Sequence, residues 1–355
     1  MTGVFFQLGT FSHPGALSHP GAFSAEGGAT FPAVVLGERV IALSVLAPRL
    51  QAQGLEPEVY RSLQDVLDAW PRSFSAIHKA VGDLARASPA SSVGDTLTLS
   101  QLRVHAPIPR PGTVYCSGAN YKKHVVELIL AQPDDERTRG MSLEERRSWA
   151  MSLMDRRAES GTPFIFVKPQ STVTGPFDSV AVPDVSEKPD WELELAVIIG
   201  RRARRVPRAT ALDYVAGYTI ANDITLRSKV FRRKTDSPEL GMDFAISKGA
   251  PGFLPLGPYL TPAAFVPDPQ KLRVTLKLNG RTMQDEETSD MIFTVAHLIE
   301  YVSAGVELQP GDLICTGSPA GNGAHYGRFL QEGDEVEGAI TGLGALRNRC
   351  VLDRG

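Results

Sequence analysis

Trp191-Glu-Leu-Glu-Leu-Ala-Val-Ile-Ile-Gly200 is apolar enough to form a buried β-strand, yet it carries two acids two residues apart. In a strand, Glu192 and Glu194 fall on the same face of the pleat. Adjacent ionised carboxylates repel, and burying either without a partner is costly, so such a face calls for a metal ion or an Arg or Lys. The alternative is that this end of the strand meets solvent.

A second apolar run, Tyr214-Val-Ala-Gly-Tyr-Thr-Ile-Ala-Asn-Asp223, also ends in an acid and places Asp223 at a strand end. Carboxylates without His or Cys at ligand spacing favour a hard cation, Mg²⁺ first and Mn²⁺ or Ca²⁺ after it, over zinc. Upstream, Gly118-Ala-Asn-Tyr-Lys-Lys-His-Val-Val-Glu127 sets His124 and Glu127 three apart, on one face of a helix. A carboxylate beside an imidazole raises its basicity and suits a general base, although a surface salt contact has the same spacing.

Around these stretches the chain divides. Pro107-Ile-Pro-Arg-Pro-Gly112 is too proline-dense for a helix or a central strand and marks a boundary, with a small domain over 1–106 and a larger one over 107–355. The first part shows short β-type runs at 33–36 and 40–43, then helical periodicity over 57–69 and 75–87. A tandem Ser-His-Pro-Gly-Ala, with His13 and His19, reads as exposed turns, a metal role being the other reading. Residues 128–161 form a charged helical insertion in which Ser142 and Glu145 make a capping box and Trp149, Met151 and Met154 supply an apolar stripe. That stripe serves either as a lid or as an oligomer contact. Beyond 161, β runs are expected at 163–167, 191–199, 214–221, 273–279 and 312–316.

Composition narrows the classes. With 355 residues, 42% of them hydrophobic, the chain buries a sizeable core in one large or two unequal domains. Its 37 basic and 40 acidic side chains give a net charge of −3, which offers no global field for a polyanion. The basic run Arg201–Arg208 is expected to be a solvated loop, so no nucleic-acid partner is expected. No apolar stretch approaches the roughly 18 to 20 residues of a membrane span, and the first residues do not read as a secretory signal. Three cysteines far apart, with no CxxC, fit a reducing cytoplasm rather than a disulfide framework or a zinc site. GxSxG, Walker-type and complete dinucleotide-binding glycine motifs are all absent.

Taken in order, Asn120-Tyr121-x-x-His124-x-x-Glu127, Glu192-Leu-Glu194 through Gly200, Asn222-Asp223-x-x-x-Arg227, Lys248, Asn279-Gly280, Ser289 to Phe293, Gly311 to Gly321 and Leu343 to Asn348 resemble the fumarylacetoacetate hydrolase superfamily over about 107–352. The resemblance implies a mixed α+β, β-rich fold: a catalytic β-sandwich-roll domain preceded by a smaller α/β domain. It implies Mg²⁺ or Mn²⁺ on Glu192, Glu194 and Asp223, with the 2-oxo acid end of a substrate completing the shell. Catalytic roles fall to His124, Glu127 and Lys248, substrate contacts to Tyr121, Arg227, Gly317 and Ser318, and a homodimer is expected. Three positions depart from the pattern. Val230 stands where the family often has Gln, Gly249-Ala250-Pro251 replaces a frequent Ser-Phe-Asp, and Ser117 replaces a fourth acidic ligand, leaving three protein ligands.

The expected activity is metal-dependent hydrolysis of a C–C bond in an acylpyruvate-like 2,4-dioxo acid, with His124, oriented by Glu127, activating water and a pyruvate enolate leaving. Decarboxylation, tautomerisation or hydration of a 2-oxo acid on the same metal site is the alternative. A binding protein of the same fold without turnover is a third reading.

Overall fold

The computed structural model describes residues 4–14, 30–86, 96–130, 136–231 and 241–354. The protein is a mixed α/β, strand-rich structure with several sheets and, among the described residues, no closed barrel. Its main sheet runs, in spatial order, through the strands Leu97–Thr98, Arg39–Ala42, Phe31–Leu36, Gln7–Ser12, Leu254–Pro262, Val215–Asn222, Leu193–Ile199, Leu313–Cys315, Val114–Gly118 and Phe164–Lys168. A five-stranded sheet, Arg281–Glu287, Arg273–Leu278, Glu335–Ile340, Gly344–Leu352 and Val180–Val182, packs beside it.

The central strands Leu193–Ile199 and Val215–Asn222 are buried at every residue, which explains their near-continuous apolar sequences. Side chains alternate between two cores. Leu193, Leu195, Val197 and Ile199 face the larger cluster with the five-stranded sheet, and Ala196 and Ile198 face the helices of the N-terminal part. Glu192 lies just ahead of the strand rather than within it, its N–H bonded to Asn222 Oδ1 at 2.9 Å.

The first hundred residues extend the same sheet. Strand Gln7–Ser12 pairs with Leu254–Pro262 at Leu8↔Leu260, and the helix Trp70–Arg86 lays Trp70, Ser73, Ala76, Ile77, Ala80 and Val81 onto its face. The periodicity expected over 57–69 resolves into a 3₁₀ turn, Pro57–Tyr60, and a helix, Leu63–Asp68, capped by Ser62. Ala69 leaves helical geometry there, and Pro71 is tolerated because it falls in the first turn of the next helix.

The helices Lys122–Leu130 and Leu143–Ser160 flank residues 131–135, which lie outside those described. Ser142 and Glu145 form the expected reciprocal cap, at 2.7 and 3.2 Å. Ala150 and Met154 are buried and Trp149 is half-buried beneath the Arg137 guanidinium, whereas Met151, expected on the stripe, is exposed. The stripe packs within the chain. Lys122 Nζ meets Asp155 at 2.8 Å and Arg146 donates to the Ile129 carbonyl at 3.0 Å, binding the two helices together.

His13 rests against Phe31, with ring centroids 5.7 Å apart, and His19 lies outside the described residues. In the basic run, Arg202 and Arg208 pair with Glu307 and Glu300, and Arg204 donates to the Ser303 carbonyl. All three cysteines are buried and free. Among the described residues, no helix is long and apolar enough to cross a membrane.

Candidate active site

Antiparallel pairing of the two central strands, with Leu193↔Asn222 and Glu194↔Ala221 in register, brings Glu192, Glu194 and Asp223 to one end of the sheet. A carboxylate oxygen of each lies within 4.8 Å of the other two. Asp223 N–H donates to the Glu192 carbonyl at 2.8 Å, locking the turn of chain beneath them. All three acids are buried, which removes the solvent-exposed strand end as an explanation for the pattern.

Three cations face them. Lys248 Nζ donates to Glu192 Oε2 at 2.7 Å, to Asp223 Oδ2 at 2.5 Å and to Thr225 Oγ1 at 2.6 Å. Lys168, from the edge strand, donates to Asp223 Oδ1 at 2.6 Å and to the Phe253 carbonyl at 2.8 Å. Arg227 Nη2 reaches Glu192 Oε1 at 2.5 Å, while its Nε reaches Asp190 Oδ2 at 2.7 Å. Burial opposes ionisation of Glu192, but Arg227 and then Lys248 outweigh it and hold its carboxyl far below the usual range. Lys248 is buried and Arg227 half-buried, yet the surrounding carboxylates push both above their ordinary values, so both are cationic.

Glu194 tests whether a metal fits. Its Oε2 accepts the Gly317 N–H at 2.7 Å, where the backbone takes a positive φ of 92°. Burial, and next the charge of Asp223, push the Glu194 carboxyl well above the usual range. Asp190, Glu192, Glu194 and Asp223 outnumber Lys168, Arg227 and Lys248 by four to three, and Glu194 is the acid without a cation of its own. Three clustered carboxylate oxygens with this deficit fit a hard divalent cation on Glu192, Glu194 and Asp223.

His124, on the helix Lys122–Leu130, is 7% exposed. Burial lowers its pKa to about 4; Glu192 opposes this, and Arg227 and Lys248 add to it. The ring is therefore neutral at pH 7. Glu127, one turn further along the same helix, has its Oε2 3.5 Å from His325 Nδ1. Tyr121 is wholly buried, and burial followed by the charge of Glu194 raises its phenol well above the ordinary value. Ser318 Oγ accepts from Gln284 Nε2 at 2.9 Å, while Gln284 Oε1 accepts the Leu193 N–H at 3.2 Å. Val230 is buried at the end of the short helix Arg227–Val230, and Ser117 Oγ is buried without a hydrogen bond. Arg232 and Arg233 lie outside the described residues.

Sequence reasoning passed over Asp190, Lys168, Gln284 and His325. Asp190 is fully buried and accepts from four groups: Trp191 N–H at 2.8 Å, Gly323 N–H at 2.6 Å, Ala324 N–H at 3.1 Å and Arg227 Nε at 2.7 Å. It thus holds Arg227 against Glu192 and ties the segment after Ser318 to the same point. A signal existed, since Asp190 continues the alternation of Glu192 and Glu194, but an acid after Pro189 reads as a turn residue. Lys168, a lone cation closing the apolar Phe164–Lys168, offered the same kind of clue.

Comparison with known proteins gives the family. The family model described as "Fumarylacetoacetate (FAA) hydrolase C-terminal" matches residues 113–351. "Oxaloacetate tautomerase FAHD2A, mitochondrial" of Bos taurus is 32% identical over 304 residues, covering 85% of this chain and 83% of that protein. "Oxaloacetate tautomerase YisK" of Bacillus subtilis (strain 168) is 34% identical over 256 residues, 71% of this chain and 74% of its own. Among solved structures, 2-hydroxyhepta-2,4-diene-1,7-dioate isomerase from Mycobacterium marinum superposes with a TM-score of 0.55 at 31% identity, covering 74% of this chain and 82% of that one. The motifs that carry the acid cluster and its surrounding cations fall inside the matched region, and the chain belongs to the fumarylacetoacetate hydrolase superfamily of enzymes.

Proposed function

We infer that this enzyme interconverts the keto and enol forms of a small 2-oxo acid of the oxaloacetate class, on a divalent cation held by Glu192, Glu194 and Asp223. The sequence alone ranks C–C hydrolysis first and tautomerisation as the alternative. The relatives support the alternative: two that are one-third identical across most of the chain are named oxaloacetate tautomerases, and the M. marinum protein is named an isomerase.

The observation that carries the choice is the burial of His124 beside the acid cluster. A buried imidazole with a pKa of about 4 is a weak base, and the carboxylate acting on it most is Glu192, itself a site acid. Drawing a proton from water for attack on a carbonyl asks much of such a group. Removing a proton from a carbon flanked by a ketone and a carboxyl asks less, and the neutral ring is ready to accept it at pH 7.

When bound, Mg²⁺ or Mn²⁺ would supply a Lewis acid beside the 2-oxo group. The chain's own groups do the rest. Lys248 and Arg227, fixed as cations, stabilise the negative charge that develops as His124 takes the proton. The Ser318 hydroxyl, oriented by Gln284, offers a hydrogen bond to a substrate oxygen. Burial of His124 keeps bulk water from competing for the carbanion. Ketonisation of oxaloacetate enol, followed by loss of its absorbance, is expected to accelerate with enzyme and Mg²⁺ and to return to the uncatalysed rate on adding chelator. No acceleration with either Mg²⁺ or Mn²⁺ would refute the reading.

A further inference from the structure

The helix Lys122–Leu130 carries His124 and Glu127 three residues apart, so their side chains are neighbours on one face. Glu127 Oε2 is buried and accepts no hydrogen bond, and His325 Nδ1 lies 3.5 Å from it. His325 belongs to the short helix Gly323–Tyr326, whose first N–H groups are anchored on Asp190. Its ring stands edge-on to Tyr326, centroids 4.7 Å apart. Side-chain exposure rises from Glu127 at 29% to His325 at 44%, while His124 is buried. His325 is also among the charges that act on His124. A base shut away from water needs a route by which its proton exchanges, and histidine is suited to carry it.

Resting on the tautomerase reading, we propose that Glu127 and His325 form a proton relay joining His124 to solvent, which gives His325 a part in the reaction. His124 takes the proton from C3, leaving the bonding pair on the substrate as enolate. Glu127 accepts that proton from the imidazolium and passes it to His325 Nδ1, while His325 Nε2 releases its own proton to water. One proton moves from carbon to solvent, no other bond changes, and the reverse sequence returns a proton for ketonisation.

The test uses oxaloacetate deuterated at C3, in H₂O with Mg²⁺ and the full chain. Enol formation is followed by absorbance and deuterium loss from the remaining keto form by mass spectrometry, with uncatalysed rates subtracted. In His325→Ala, His325→Gln and Glu127→Gln, each checked for folding by circular dichroism, the ratio of wash-out to enol formation is expected to fall several-fold, because the abstracted deuteron returns to C3. Added imidazole is expected to restore the ratio in His325→Ala and not in Glu127→Gln. Wild-type enol formation with an unchanged ratio in the His325 variants overturns the relay alone, whether or not their rates fall. Absence of wild-type enol formation overturns the tautomerase reading and the relay with it.

Discussion

Glu194 is the residue at which the site's charge is least balanced, and replacing it separates stability from function. Glu194→Gln removes an acid whose charged form burial and Asp223 disfavour, so the metal-free variant is expected to melt at or above the wild-type temperature. Titration calorimetry of the same variant is expected to show Mg²⁺ affinity lost, as in Glu192→Gln and Asp223→Asn. Unchanged affinity in all three would remove these ligands. His124 gives a pH signature. Its folded pKa of about 4 lies below the unfolded value near 6.5, so the unfolded chain binds more protons between those limits and stability falls as pH drops through that window. Denaturation of His124→Gln against wild type from pH 7 to pH 4 is expected to show a shallower slope, and kcat is expected to fall by roughly 10²-fold or more with metal binding preserved. An equal slope would mean that the ring is not buried neutral. The three ligands were legible because acids interrupt otherwise apolar strands. Asp190 was not, because its partners Gly323 and Ala324 lie over 130 residues away and only the fold brings them together.

At the level of elements, the sequence readily yields what local chemistry decides. The cap of the helix Leu143–Ser160 is written in Ser142 and Glu145, and the strands around Leu193–Ile199 are written in their apolar runs. Which face of a helix is covered depends on its neighbours. Trp149 and Met154 turn inward against the helix Lys122–Leu130, and Met151, two positions from Trp149, turns away. Because that packing supports the helix carrying His124 and Glu127, Met154→Ala is expected to cost about 2–5 kcal/mol of stability in urea denaturation. Hydrogen exchange over 122–130 is expected to rise with it. Loss of stability without faster exchange there would mean that the two helices are not coupled.

At the scale of the whole molecule, one sheet and one core run through the N-terminal part and the rest of the chain. Proline density near 107–112 marks a change of role, but the main sheet crosses it, and Ala196, Ile198, Cys315 and Leu260 share one core with Ile77, Ala80 and Val81 of the N-terminal helix. Deletion of residues 1–106 would expose that face of the central strands, so the remainder is expected to be insoluble or to lose its cooperative thermal transition. A cooperative transition in the truncated chain would contradict the shared core. The pairing of the first strand with Leu254–Pro262 joins segments about 250 residues apart, which no local signal encodes.

The central claim is that a metal-held acid cluster with a weak neutral base moves a proton rather than splits a carbon–carbon bond. The most direct measurement compares, on one preparation with Mg²⁺, kcat/KM for ketonisation of oxaloacetate enol with kcat/KM for pyruvate release from a set of acylpyruvates. The account predicts that ketonisation is the faster by a wide margin and is abolished by Glu192→Gln. Efficient release of pyruvate with no acceleration of ketonisation would contradict it.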